Sequence, residues 1–240
     1  MPSFLKDLTP FYGTGEKNSD GKTLEQFLEE YDPYKYRTPC CTTDAVVFSY
    51  SGRSVLKDTV FKVLLVKRKN HPSIGFWALP GGFINLEENL EETARRELEE
   101  ETGVKGLAVE QFACYGDWER DPRARVITTA YMALTEESRV KVRAGDDAAD
   151  AAWCAIHVDE LSCNETKEYR ETTYVLKAEN REKVISLCAV VKKTERKGLI
   201  REQKYTVCDC GGIAVDHAAI IVQAFLLLKS RISASDAGNY

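Results

Sequence analysis

The chain has 240 residues, 43% of them apolar and 30% charged, with a formal net charge of −5. That length allows one medium domain with additions, and the composition is ordinary for a soluble globular protein. The negative balance argues against a nucleic-acid polymer as partner; a small anionic ligand stays open, because bound cations would dominate the local field.

The start, MPSFLKDLTPFYGTGEKNSD, lacks the apolar core of a secretory signal, so the cytoplasm is the expected compartment. Residues 1–22 read as loose and polar. Thr23 with Gln26 three residues on predicts a capping box, and Leu24, Phe27, Leu28 and Tyr31 make one face of a short helix that packs on the domain or on a partner subunit. Residues 42–50 and 60–67 read as strands joined in a hairpin around 51–58. Further strands are expected at 127–134 and 151–155, then a short helix near 157–161. From 165 to 211 the runs 172–176, 184–192 and 199–208 read as a β-rich insertion before a closing helix at 216–231. The greasy run 218–228 contains Gln223 and is too short to span a bilayer. Eight cysteines, at 40, 41, 114, 154, 163, 188, 208 and 210, form no C-x-x-C pair. They read as free or buried thiols, and a zinc site from Cys163, Cys208, Cys210 and a histidine matches no usual spacing.

Residues 82–104 read GFINLEENLEETARRELEEETGV. Pro80, Gly81 and Gly82 cannot continue a regular element, so a tight loop precedes a helix. Asn89 with Glu92 sets the first helical turn at Leu90. Gly103 fits the left-handed position that ends a helix, with Val104 folding back onto Leu98. Between these caps, Leu90, Ala94 and Leu98 form the docking stripe, while Arg95 and Glu99 point to water. Glu97, Glu100 and Glu101 share the stripe's edge. Neighbouring carboxylates on an exposed helix repel by about 0.2–0.5 kcal/mol per pair, a cost reversed when they surround cations. Hard oxygen ligands suit Mg²⁺ or Mn²⁺, and Arg96 is placed to orient a ligand carboxylate by a forked hydrogen bond.

The fixed points Gly82, Glu88, Arg96, Glu97, Leu98, Glu100, Glu101, Gly103 and Val104 match the Nudix box without a gap. The chain thus resembles a Nudix hydrolase, and looks closest to the branch of ADP-ribose pyrophosphatases and related nicotinamide-metabolism regulators. Upstream, residues 63–84 (VLLVKRKNHPSIGFWALPGGFI) resemble the family's strand, loop and W-x-L-P-G-G entry. Downstream, 117–134 (DWERDPRARVITTAYMAL) and 212–221 (GIAVDHAAII) resemble the branch's D-P-R-x-R-V segment and closing helix, with Val215 in place of the usual Phe. The resemblance implies an α+β class, α/β/α fold: a mixed β-sheet flanked by helices. It implies an N-terminal extension at 1–39, a hydrolase domain at 40–232 that includes the insertion at about 164–211, and a tail at 233–240.

It further implies metal-dependent attack of water on a diphosphate linked to another moiety. Glu97, Glu100, Glu101 and the Gly82 carbonyl would hold Mg²⁺ or Mn²⁺. Glu101, Glu97 and Arg96 would carry the chemistry, and Glu88 would assist through water or metal. Asn85, Leu86 and Glu87 depart from the usual glycine-containing sequence before Glu88. The leading substrate is ADP-ribose, giving AMP and ribose 5-phosphate. Alternatives are a nucleotide sugar, a dinucleotide, a nucleoside triphosphate, or a regulator that binds such a metabolite without cleaving it. Regulators of this branch carry a DNA-reading winged helix after the closing helix, where this chain has only residues 232–240. Members are commonly dimers, so a homodimer is expected, with no nucleic-acid or membrane partner. Arg68, Arg123 and Arg125 are the candidate substrate clamp. Trp77 and Phe83 flank the glycine turn and read as core before base-stacking groups. The general base stays open among Glu101, Glu136, Glu137, Asp146 and Asp147. Asp216 reads as the N-cap of the closing helix and His217 as its first-turn neighbour rather than a catalytic dyad.

Overall fold

The apolar run at 42–50 suits a strand covered on both faces. The structure, a computed structural model, places it at the middle of a ten-stranded sheet. Residues 4–52, 55, 59–145, 148–200 and 202–236 are described. The chain falls into two compact units, Met1–Pro39 and Cys40–Tyr240.

In the first unit a 3₁₀ turn, Thr9–Phe11, precedes α1 (Leu24–Glu30). The capping box is present: the Thr23 N–H donates to Gln26 Oε1 at 3.0 Å, and the Gln26 N–H donates to Thr23 Oγ1 at 3.4 Å. Phe27 and Tyr31 touch across one turn, with ring centres 5.7 Å apart, and α1 buries none of its side chains.

The second unit holds β1 (Cys40–Tyr50), β2 (Phe61–Arg68), β3 (Trp77–Ala78), β4 (Gly81–Phe83), α2 (Leu90–Thr102), β5 (Glu110–Tyr115) and β6 (Val126–Glu136). After these come β7 (Ala148–Glu165), β8 (Tyr169–Asn180), β9 (Ile185–Arg196), β10 (Gln203–Asp209) and α3 (His217–Asp236). The sheet runs β10-β9-β8-β7-β2-β1-β6-β5, with β3 beside β2 and β4 beside β1. Strands β1 and β6 are parallel and the other ladders antiparallel, so the sheet is mixed.

Strand alternation sends β1 side chains to two different cores. Val46 and Phe48 join Phe61, Val63 and Leu65 under α3, which contributes Ile220, Ile221 and Phe225. Phe48, Phe61 and Phe225 meet edge-on at 6.2 to 6.3 Å between ring centres, worth about 0.5–1.5 kcal/mol per pair beyond their area. Ala45 and Val47 face the other way, onto Leu98 of α2 and Val104. The two helices therefore cover opposite faces of the sheet, as the α/β/α expectation requires. α3 also packs on β8, β9 and β10, so the meander after β7 shares its core.

Three readings are corrected. Residues 157–161 are not a helix: they continue β7, where His157 pairs with Lys177 and Val158 with Leu176 of β8, and the ladder overrides local propensity. Strands β3, β4 and β5 went unread; the first two span two and three residues, too short for a periodic signal, and β5 is bulged between Gln111 and Ala113. α3 runs past 231 to Asp236 and is long and apolar enough, by length and composition, to cross a bilayer. Its Ala218, Ile220, Ile221, Val222 and Ala224 are instead fully buried as core. Part of the hairpin turn read at 51–58 lies outside the described residues.

Candidate active site

The glycine turn is where the backbone comes close enough to matter. Gly81 and Gly82 pair with Asp44 and Thr43 of β1. A Cβ on Gly81 would sit 2.1 Å from the Thr43 carbonyl oxygen, and one on Gly82 would sit 2.5 Å from Glu97 Cδ. Only glycine allows both approaches. The Gly81 N–H then donates to Glu101 Oε2 at 3.0 Å, fixing α2 against the turn. α2 is capped as expected. The Asn89 N–H donates to Glu92 at 2.8 Å, and Gly103 takes φ 72° with its N–H on the Glu99 carbonyl.

A cavity of about 440 Å³ opens beside this turn. Glu97, Glu101, Arg96, Gly82, Arg68 and Arg123 all line it, with Asp44 and Arg120 at its buried side. Arg96 is the hub of the acidic group. Its Nε donates to Glu88 at 2.9 Å, its Nη1 to Glu97 at 2.6 Å and to Glu100 at 3.0 Å, and its Nη2 to Glu88 and to the Phe83 carbonyl. Glu100 is more exposed and belongs to a second recess, of about 570 Å³, together with Glu97, Glu99, Glu101 and Arg143. The wall of that recess crosses the end of α2. The Gly145 N–H donates to the Glu101 carbonyl at 2.9 Å, and a Cβ on Gly145 would meet the Glu100 carbonyl oxygen at 1.8 Å.

Environment separates the carboxyls. Contact with Arg96 holds Glu88 down at about 2, helped by the Thr93 hydroxyl. Burial pushes Glu97 up, against the pull of Arg96. Glu101 is pushed up to about 7, chiefly by burial, with Glu97 and Asp44 adding repulsion and the Gly81 N–H opposing it.

Behind the turn lies a buried polar network. Arg120, only 7% exposed at its side chain, makes a forked pair with Asp216 at 2.9 and 3.0 Å and lies 3.8 Å from Asp44. Asp44 accepts from the Thr128 hydroxyl at 2.7 Å. The Leu79 N–H donates to His217 Nδ1 at 2.8 Å, so the neutral ring carries its proton on Nε2, which is 3.7 Å from Asp44 Oδ1.

The pattern of the NUDIX domain matches residues 43–176 of the chain. The chain belongs to the Nudix family. It is 38% identical, over 46% of its length, to an ADPR-responsive transcriptional repressor from Acinetobacter baylyi, of which it spans 42%. It is 35% identical, over 54% of its length, to an ADP-ribose pyrophosphatase from Methanocaldococcus jannaschii, of which it spans 71%. In three dimensions it resembles a MutT/nudix family protein from Enterococcus faecalis, with a TM-score of 0.59 and 30% identity over 86% of this chain and 70% of that one.

Against this Nudix frame, most of the expected site residues come together. Arg68 reaches the cavity, its Nε donating to the Pro72 carbonyl at 2.7 Å. Arg125 does not. Its side chain is exposed away from the cavity, while its carbonyl accepts the Cys40 N–H at 2.8 Å. Arg123 lines the cavity, but its fork is taken by Asp121. Trp77 is core, as expected, whereas Phe83 is 45% exposed at the cavity. Glu136 pairs with Arg139, and Glu137 with Lys62, beside a different recess, so neither is placed to serve as base. Asp146 and Asp147 lie outside the described residues. Asp216 does begin α3, but its carboxylate is given to Arg120. Asp44 and Arg120 were missed. A lone acid inside the apolar run TTDAVVFSY was the available signal for Asp44; nothing local distinguished Arg120 from its neighbouring arginines.

The donor set fits a hard divalent cation: oxygen donors only, with Glu97 and Glu101 both raised chiefly by burial, beside a backbone with no room for a side chain. As the side chains stand, no three acids, histidines or cysteines among the described residues converge to hold a metal ion. The Arg96 guanidinium engages both Glu97 and Glu100.

Proposed function

We propose that this protein hydrolyses a nucleoside diphosphate linked to a second moiety, with ADP-ribose cleaved to AMP and ribose 5-phosphate. The observation carrying this reading is the meeting of Glu97 and Glu101 with the Gly81–Gly82 backbone at a cavity that Arg68 also lines. Similarity to the archaeal ADP-ribose pyrophosphatase supports the substrate.

Glu97, Glu100, Glu101 and the Gly82 carbonyl would hold Mg²⁺ or Mn²⁺, which when bound neutralises the diphosphate and polarises its oxygens. Arg96 keeps Glu97 and Glu100 oriented through its Nη1. Glu101, held near neutrality by its burial, takes the proton of the attacking water. The water oxygen bonds to phosphorus as the bridging P–O bond breaks. Arg68 offsets charge on the leaving phosphate. Glu88 stays ionised as the anchor of Arg96.

The reading includes a hydrolase domain at 40–232 with 1–39 as an extension, and a homodimer acting in the cytoplasm. A single monomeric mass by light scattering at every concentration would sink the dimer. A second reading, a metabolite-binding regulator, is supported by similarity to the Acinetobacter repressor. Product release separates the two. With Mg²⁺ and ADP-ribose the protein releases AMP, and Glu101→Gln abolishes release while circular dichroism is unchanged. Tight binding of ADP-ribose with no product from a broad panel of nucleoside diphosphate derivatives would favour the regulator.

A further inference from the structure

The cavity has one wall that the phosphate chemistry does not use. Phe83 ends β4, pairs with the buried Thr42 of β1 in the ladder, and is 45% exposed at the cavity. The Arg123 guanidinium lies over its ring, 5.4 Å from the ring centre.

Two bonds to Asp121 hold that guanidinium, and a third ties the Arg123 backbone to the same carboxylate. Arg123 donates from its backbone N–H at 2.9 Å, from Nε at 3.0 Å and from Nη2 at 2.8 Å. The Asp121 side chain is nearly buried, while that of Arg123 remains 47% exposed. An arginine meant to grip phosphate presents its fork outward. Here the fork is turned onto Asp121, and the stacked pair of guanidinium and ring stays part-exposed at the cavity. Phe83 is itself tied to the acidic group, since its carbonyl accepts from Arg96 Nη2 at 3.1 Å.

Flat, delocalised and weakly hydrated, a guanidinium face attracts an aromatic plane rather than a tetrahedral anion. We propose that Phe83 and Arg123 form the nucleobase seat of this site, with Asp121 as the residue that positions Arg123. The proposal rests on the nucleoside-diphosphate reading and adds which end of the substrate lies where. The base stacks at the Phe83–Arg123 wall, and the diphosphate lies toward Glu97, Glu101 and Arg68. Arg123 is thereby a base-stacking residue and not a phosphate clamp.

Binding of AMP, measured by calorimetry without turnover, tests this directly, with ribose 5-phosphate as the control that lacks a base. Loss of one stacking partner weakens AMP binding by about 10-fold, the low end for base stacking on a protein side chain. Phe83→Leu keeps the apolar bulk and Arg123→Lys keeps the charge. Both are expected to lose that factor for AMP and to leave ribose 5-phosphate within twofold. Asp121→Asn, which frees the fork, should weaken AMP less than Arg123→Lys. Wild-type affinity for AMP in both Phe83→Leu and Arg123→Lys, or AMP bound no better than ribose 5-phosphate by the wild type, overturns the seat. Should AMP bind as expected while no diphosphate is cleaved, the hydrolase reading falls and the seat stands.

Discussion

Replacing Glu101 with glutamine should change how stability depends on pH, and by an amount the site sets. Raising this carboxyl from its ordinary 4.5 to about 7 costs its charged form about 3 kcal/mol in the folded protein. Below pH 4.5 the residue is protonated whether folded or unfolded, so it costs nothing. Between pH 4.5 and 7 the folded state holds a proton that the unfolded state releases, and stability falls as pH rises. Above pH 7 the full cost is present. Glutamine keeps the shape and removes the titration. Urea unfolding in the presence of a chelator, at pH 4.5 and pH 8.5, isolates the effect as a difference between wild type and variant, in which groups not coupled to Glu101 cancel. The stability of Glu101→Gln relative to wild type should be about 3 kcal/mol more favourable at pH 8.5 than at pH 4.5. Added Mg²⁺ should stabilise the wild type at pH 8.5 and the variant much less. Parallel pH profiles for the two proteins would refute the claim that burial of Glu101 among Glu97 and Asp44 stores this cost.

Gly82→Ala puts a methyl carbon 2.5 Å from Glu97 Cδ, so the carboxylate must move; turnover should fall by at least 100-fold with the far-ultraviolet spectrum retained. Arg68→Ala should raise KM for ADP-ribose about 10-fold, a loss of about 1.4 kcal/mol, whereas Arg125→Ala should leave both KM and kcat within twofold, because Arg68 lines the cavity and Arg125 does not. Arg120→Met removes the partner of Asp216, leaving that carboxylate part-buried, and takes the nearby cation from Asp44; equilibrium unfolding should show a loss of about 3 kcal/mol.

How far the site could be read from sequence follows from the range of each interaction. α2 was legible to the residue because its signals are local: Asn89 and Glu92 at one end, Gly103 at the other, and carboxylates at spacings of three and four between. The central strands were legible because burial on both faces leaves an apolar run. Long pairings hid the rest. His157 and Val158 extend a strand because β8 lies beside them, a partner almost twenty positions away in sequence. Arg123 and Arg125 look alike in the segment DPRAR, and what sets the first apart in space is its contact with Phe83, far upstream in the chain. Asp44, Arg120 and His217 come from three distant segments and form one buried network. No spacing rule connects them.

The arginine of the box has a physical role that follows from charge alone. Four carboxylates, Glu88, Glu97, Glu100 and Glu101, must fold onto one turn and helix. Arg96 meets three of them, so the acidic surface can form with one built-in cation. The consequence is unequal. Glu88, fully engaged, stays ionised down to about pH 2. Glu101 makes no bond to Arg96, is more deeply buried, and is left near neutrality with the Gly81 N–H as its donor. Contact with the guanidinium at Glu88 and burial at Glu97 and Glu101 thus sort like residues, which is how neighbouring carboxylates come to hold different charge states at one pH. Arg96→Lys keeps a positive charge but loses the planar fork that reaches Glu88, Glu97 and Glu100 together. Titration of that variant by NMR should show Glu88 returning toward the ordinary carboxylate range while Glu101 stays raised. If Glu88 keeps its low value with lysine in place, its ionisation does not depend on the fork, and the sorting must arise elsewhere.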